Sequence, residues 1–197
     1  MINKGFITNC IQGITELTVD ANLSAEASHG KRQDKAELCV PFFRMEDIDM
    51  LLGIPKILSP ELLKVLAEMG HDDTLVIADG NFPAQSVGRN SIVIRCDGFG
   101  APELLDAILK VFPLDTYVDK PVNLMEVVPG DNVETPIWDV FKEIIAKHDP
   151  RGGEAVGTIE RFQFYEEARK AYAILATGES AQYANVMIRK GVVLDAQ

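Results

Sequence analysis

Along residues 51–193 apolar side chains recur with two periods, one close to 3.6 and one continuous over four to six positions. In "SPELLKVLAEMG", Leu62, Leu63, Leu66 and Met69 form a helical stripe. Ser59 stands ready as the cap, Pro60 occupies the first helical position, and Gly70 ends the run. "TLVIAD" follows, aliphatic and too short for a stable helix, so it reads as a buried strand ending at Asp79. After a Gly/Asn/Pro turn, "SIVIRCDG" predicts a second strand and "APELLDAILKVFP" a helix closed by Pro113. "PVNLMEVVPGD" predicts a strand and turn. "PIWDVFKEIIAKH" predicts a helix with Trp138, Phe141, Ile144 and Ile145 on one face. The remainder predicts a strand in "GTIERF", a helix in "QFYEEARKA", and strands in "YAILATGE" and "ANVMIRKGVV".

Strands alternating with helices of about ten residues predict an α/β fold, a three-layer α/β/α domain on a mixed, mostly parallel sheet. Residues 1–49 have a different texture. "ANLSAEASHGKRQDKAE" is polar and follows neither period, which predicts a poorly structured N-terminal extension ahead of a folded domain at 50–197.

Composition narrows the function classes. Of the 197 residues, 47% are hydrophobic, enough for a real core, and the formal charge of −11 opposes binding to nucleic acid or an anionic membrane. No apolar run approaches the ~20 residues that span a bilayer. Cys10, Cys39 and Cys96 are scattered without paired spacing, which points to a reduced, cytoplasmic protein without a structural zinc site. Nucleotide-binding glycine motifs and the commoner hydrolase motifs do not occur.

Four places could carry chemistry. His71 follows the first helix and would project from a rim of the sheet, where an imidazole can reach a substrate; it would equally serve as a cation at a helix C-terminus. Asp79 ends a hydrophobic strand, the edge where open α/β sheets keep ligands, although Asp-Gly is also a turn signal. Tyr183 and Asn185, two apart, would project to one side if extended, a phenol beside a carboxamide. Arg161, after a predicted strand, could fork onto the hydroxyls of a sugar or the carboxylate of a ligand, and it could equally pair with one of the protein's many acidic residues.

Taken together, "LSPELLKVLAEMGHDDTLVIADGNFPA", "IRCDG", "LLDAILKVFPLDTYV", "IERFQFYEEARKAYAILATGE" and "YANVMIRKGV" resemble the L-fucose mutarotases of the ribose pyranase/fucose mutarotase family. The resemblance covers residues 51–193 in the family's order, and "RFQFYEEA" favours the fucose branch over the ribose branch. It implies His71 as the proton-transferring residue and Asp79, Arg161, Tyr183 and Asn185 as ligands of a free monosaccharide; for ring opening, the Tyr183 phenol is the best second catalytic group. It also implies a homo-oligomer with sites near subunit contacts, and acid/base-assisted ring opening requires no metal or organic cofactor. A ribose pyranase, a mutarotase of another sugar, and a sugar-binding module without catalysis are the rival readings.

Overall fold

In a computed structural model, the structure describes residues 51–194. The expected extension at 1–49 lies outside the described residues. Helix α1 (Pro60–Glu68) begins where expected, with the Ser59 side chain accepting from the Leu62 N–H. The remaining elements are β1 (Thr74–Ala78), the one-turn α2 (Ala84–Val87), β2 (Ile92–Cys96), α3 (Ala101–Leu109), β3 (Val122–Met125), α4 (Ile137–His148), β4 (Val156–Ile159), α5 (Arg161–Ala168), β5 (Ala173–Thr177) and β6 (Val186–Arg189). A 3-10 turn, Gly152–Ala155, leads into β4.

The six strands form one sheet in the order β2-β5-β1-β6-β3-β4. All pairings are parallel except those of β6, which runs against both β1 and β3. The pleat divides each strand's apolar residues between two faces. Leu75, Ile77, Leu175, Val186 and Ile188 pack with α1, α3 and α4, where Leu62, Leu105, Ile108, Phe141 and Ile145 are fully or almost fully buried. Val76, Ala78, Ile174, Ala176 and Met187 pack on the other face with Phe82, Val87, Phe164 and Ala168 from the α2 and α5 side. Both faces of the central strands are thus covered, which is why those strands read as continuous apolar runs instead of alternating. The three-layer architecture with a mixed, mostly parallel sheet agrees with the expectation.

Two local readings are corrected. The strand expected to run through "GTIERF" stops at Ile159. Glu160 ends it by accepting from the N–H groups of Phe162 and Gln163, at 2.9 and 3.0 Å, so the chain turns into α5 and Arg161 becomes its first residue. Tyr183 is not extended either: its φ is +56°, a left-handed turn, and β6 starts only at Val186.

The reversed direction of β6 sorts its flanking residues between the two ends of the sheet. Residues just before β6 lie at the carboxyl rim of β1 and β3, and residues just after it lie at their amino rim. At one end the Met125 N–H donates to the Asn185 carbonyl at 3.2 Å; at the other the Asp72 N–H donates to the Lys190 carbonyl at 3.0 Å.

Candidate functional site

At the carboxyl rim, Asp79, Arg161, Tyr183 and Asn185 line one cavity of about 340 Å³, within the roughly 300–1,000 Å³ of small-molecule sites. Its floor is a reciprocal pair. The Asn185 Nδ2 donates to Asp79 Oδ2 at 2.7 Å, and the Asp79 N–H donates to Asn185 Oδ1 at 3.0 Å. A third bond, from the Asn81 N–H to Asp79 Oδ1 at 3.0 Å, closes a turn around the carboxylate. Asp79 and Asn185 are only 5% and 4% exposed, so this carboxylate is held by donors inside the protein. Burial pushes the Asp79 carboxyl above the ordinary range, and the bonds from Asn81 and Asn185 pull against that shift.

The walls come from other elements. Arg161 leaves the first turn of α5 with its guanidinium 6.0 Å from the centre of the Phe162 ring and 5.9 Å from that of Tyr165. The Tyr165 hydroxyl beside it holds the Arg161 pKa above its usual value, so its charge is permanent. Tyr183 is fixed at both ends: its carbonyl accepts from the Trp138 indole at 2.9 Å, and its hydroxyl donates to Asp131 Oδ2 at 2.5 Å. That bond to Asp131, then burial, raises the phenol's pKa and keeps it protonated. Phe82, Met125 and Tyr165 add apolar surface. Acceptors, donors and ring faces together match a polyol, whose hydroxyls bridge such groups while its C–H face rests on an aromatic.

Gly178 brings the neighbouring segments close at this rim. A Cβ there would stand 2.1 Å from the Asp97 carbonyl, and the Gly178 N–H donates to the Phe99 carbonyl at 3.0 Å. Thr177, which is buried, donates from its hydroxyl to the Ala78 carbonyl at 2.8 Å and ties β5 to the end of β1.

His71 stands elsewhere. It precedes β1 whereas Asp79 follows it, and a five-residue strand spans roughly 16 Å, so the two residues occupy opposite rims. Within one chain, therefore, the helix end that carries His71 and the strand end that carries Asp79 do not meet in one pocket. At the amino rim the His71 Nε2 lies 3.2 Å from Asp115 Oδ1, and its ring meets Tyr117 edge-on at 5.4 Å. The His71 side chain is 44% exposed and Asp115 is 1% exposed. Nearby Arg189 pairs with Asp72.

Four of the five expected residues thus converge, and the fifth does not. The sequence alone gives no role to Asp115, Asp131 or Tyr165, and it reads Trp138 only as part of the apolar face of a helix. Asp115-Thr-Tyr117 is an Asx-turn pattern that marks a local bend, and Asp131 follows a Pro-Gly turn; neither signal reveals its distant partner. Among the described residues no group of three or more His, Cys, Asp or Glu side chains is arranged to hold a metal ion, and no helix is long and apolar enough to cross a membrane.

Comparison with known proteins adds an independent line. The RbsD / FucU transport protein family matches residues 52–193. The human fucose mutarotase is 50% identical over 149 residues, covering 73% of this chain and 94% of that protein. The solved FucU from Bifidobacterium longum is 67% identical with a TM-score of 0.71, and the match covers 72% of this chain and 99% of that one. The fucose mutarotase of Streptococcus pneumoniae, solved in complex with L-fucose, is 47% identical with a TM-score of 0.69, covering 73% of this chain and 100% of that one. With a match across nearly all of the described residues and relatives aligned over almost their whole length, the chain belongs to the RbsD / FucU transport protein family.

Proposed function

We propose that this protein is an isomerase that interconverts the α and β anomers of L-fucose. The observation that carries the reading is the convergence of Asp79, Asn185, Arg161 and Tyr183 on one cavity in a chain whose similar proteins are named fucose mutarotases. One of those relatives was solved with L-fucose bound.

Anomeric exchange opens the pyranose ring, turns the aldehyde and closes the ring on its other face. Opening delivers a proton to the ring oxygen while one leaves the anomeric hydroxyl, and closure reverses both transfers. The chemistry needs two positioned proton carriers and neither redox nor Lewis-acid help, so no cofactor is required. Tyr183 serves as one carrier, a phenol already engaged in a short hydrogen bond. His71 serves as the other. Asp79, Arg161 and Asn185 hold ring hydroxyls; the buried carboxylate accepts from two of them, and the guanidinium fork donates.

Because His71 and the cavity occupy opposite rims, the complete site takes His71 from one copy and the cavity from another, in a homo-oligomer with sites at subunit contacts. The exposed, outward-facing imidazole supports this arrangement. The buried free thiol of Cys96 suits a cytoplasmic setting.

Saturation-transfer NMR on L-fucose tests the proposal. The protein should accelerate exchange of L-fucose anomers more than those of D-ribose. His71→Ala should leave the fold intact and abolish most of the acceleration, and mixing His71→Ala with Tyr183→Phe chains should restore part of it through mixed sites. No acceleration by the unmodified protein overturns the function, and an undiminished rate in His71→Ala removes that residue from the mechanism.

A further inference from the structure

The amino rim carries a feature that acid/base chemistry by His71 does not by itself require: a carboxylate almost fully removed from solvent, in contact with a half-exposed imidazole. We propose that Asp115 is a positioning residue for His71, holding the imidazole with its proton on Nε2 so that Nδ1 is the nitrogen that exchanges protons with the sugar. The inference rests on the mutarotase reading and concerns which ring atom works there.

The geometry has three parts. Asp115 Oδ1 lies 3.2 Å from the His71 Nε2 and also accepts the Tyr117 N–H at 2.9 Å, so this oxygen is pinned from two sides. The backbone beneath it is clamped: Arg151 donates to the Asp115 carbonyl at 2.8 Å and to the Val118 carbonyl at 3.1 Å, and is itself held by Asp149 at 2.8 Å. The Asp115 N–H donates to the Arg189 carbonyl at 3.1 Å, which fastens the turn to the end of β6. The Tyr117 ring stands edge-on to the imidazole at 5.4 Å, with 73° between planes.

Charge decides the tautomer. Burial pushes the Asp115 carboxyl up, but the bonds from the Tyr117 N–H and His71 and the charges of His71 and Arg189 outweigh it and leave the group below its ordinary range. An ionised carboxylate only accepts, so the nitrogen facing it must donate. In the neutral ring that nitrogen is Nε2–H, and the lone pair falls on Nδ1. Of the other charged groups at this rim, Asp72 pairs with Arg189, Lys190 donates to backbone carbonyls of α1 and its end, and Asp73 accepts the Gly70 N–H.

Imidazole ¹⁵N NMR of the full chain reads the tautomer without any sugar. Three histidines are present, and a His71→Ala spectrum identifies the His71 signals by difference. Neutral His71 should show a pyrrole-type Nε2 and a pyridine-type Nδ1. Asp115→Leu should mix the two tautomers and slow L-fucose exchange on the order of tenfold with KM for the sugar unchanged. Asp115→Asn, whose Oδ1 still accepts, should retain the tautomer and part of the rate. A neutral His71 that carries its proton on Nδ1 in the unmodified protein overturns the proposal even if Asp115→Leu fails to fold, and so does a folded Asp115→Leu with an unchanged rate. Absence of L-fucose exchange in the unmodified protein sinks the functional reading instead and leaves the tautomer result standing.

Discussion

Asn185→Ala isolates the pair at the cavity floor. Wild-type Asn185 makes two buried bonds to one residue, accepting the Asp79 N–H at 3.0 Å and donating to Asp79 Oδ2 at 2.7 Å. Truncation strands the N–H, at about 1–3 kcal/mol, and removes a bond to a carboxylate worth about 1.5–3 kcal/mol. Water from the adjoining cavity recovers part of this, leaving a net loss of about 2–4 kcal/mol. At roughly 2–4 °C per kcal/mol for a domain of this size, the midpoint of thermal unfolding should fall by about 4–16 °C at neutral pH.

The same substitution has a signed pH dependence. Burial holds the Asp79 pKa above its unfolded value, so the group's contribution to stability is fully present below about pH 3.9 and is lost as pH rises through the folded pKa. Removing the Asn185 donor raises the folded pKa further, so ionisation costs the variant more. The gap between variant and wild type should be smallest in acid, widen as pH rises, and level off above the variant's folded pKa. Thermal denaturation across roughly pH 4–8 at one fixed protein concentration measures it. A gap that is constant with pH, or widest in acid, would refute the claim that Asn185 stabilises a charged Asp79.

Tyr183→Phe removes the hydroxyl that donates to Asp131 but keeps the ring and its backbone bond to Trp138; the fold should persist by circular dichroism while L-fucose exchange slows by on the order of 10²-fold. Arg161→Lys keeps the charge and loses the planar fork, so KM for L-fucose should rise about tenfold with secondary structure unchanged, as exchange kinetics at varied sugar concentration will show. Gly178→Ala drives a Cβ to 2.1 Å from the Asp97 carbonyl, and the forced separation should cost about 1–3 kcal/mol, seen as a midpoint lowered by roughly 2–12 °C.

By itself the sequence determined what depends on near neighbours. The stripe of Leu62 and Leu66 with its Ser59 cap, the aliphatic strands, and the helix carrying Phe141, Ile144 and Ile145 are local patterns of period and capping, so the layers could be read directly. The strand-to-helix switch at Glu160 was also local but ambiguous, since an apolar-polar run suits both states until the Glu160 side chain takes the first two N–H groups of α5. Only the tertiary structure decided who meets whom. The antiparallel return of β6 sets Asn185 against Asp79, 106 residues apart, and the same strand's far end carries Arg189 to Asp72 and Asp115 to His71's side. Strand direction separates His71 from Asp79, because the residues before and after a strand leave from opposite edges of the sheet. Periodicity records which face a side chain takes, whereas strand order and polarity, which come from packing the whole chain, decide which rim it reaches.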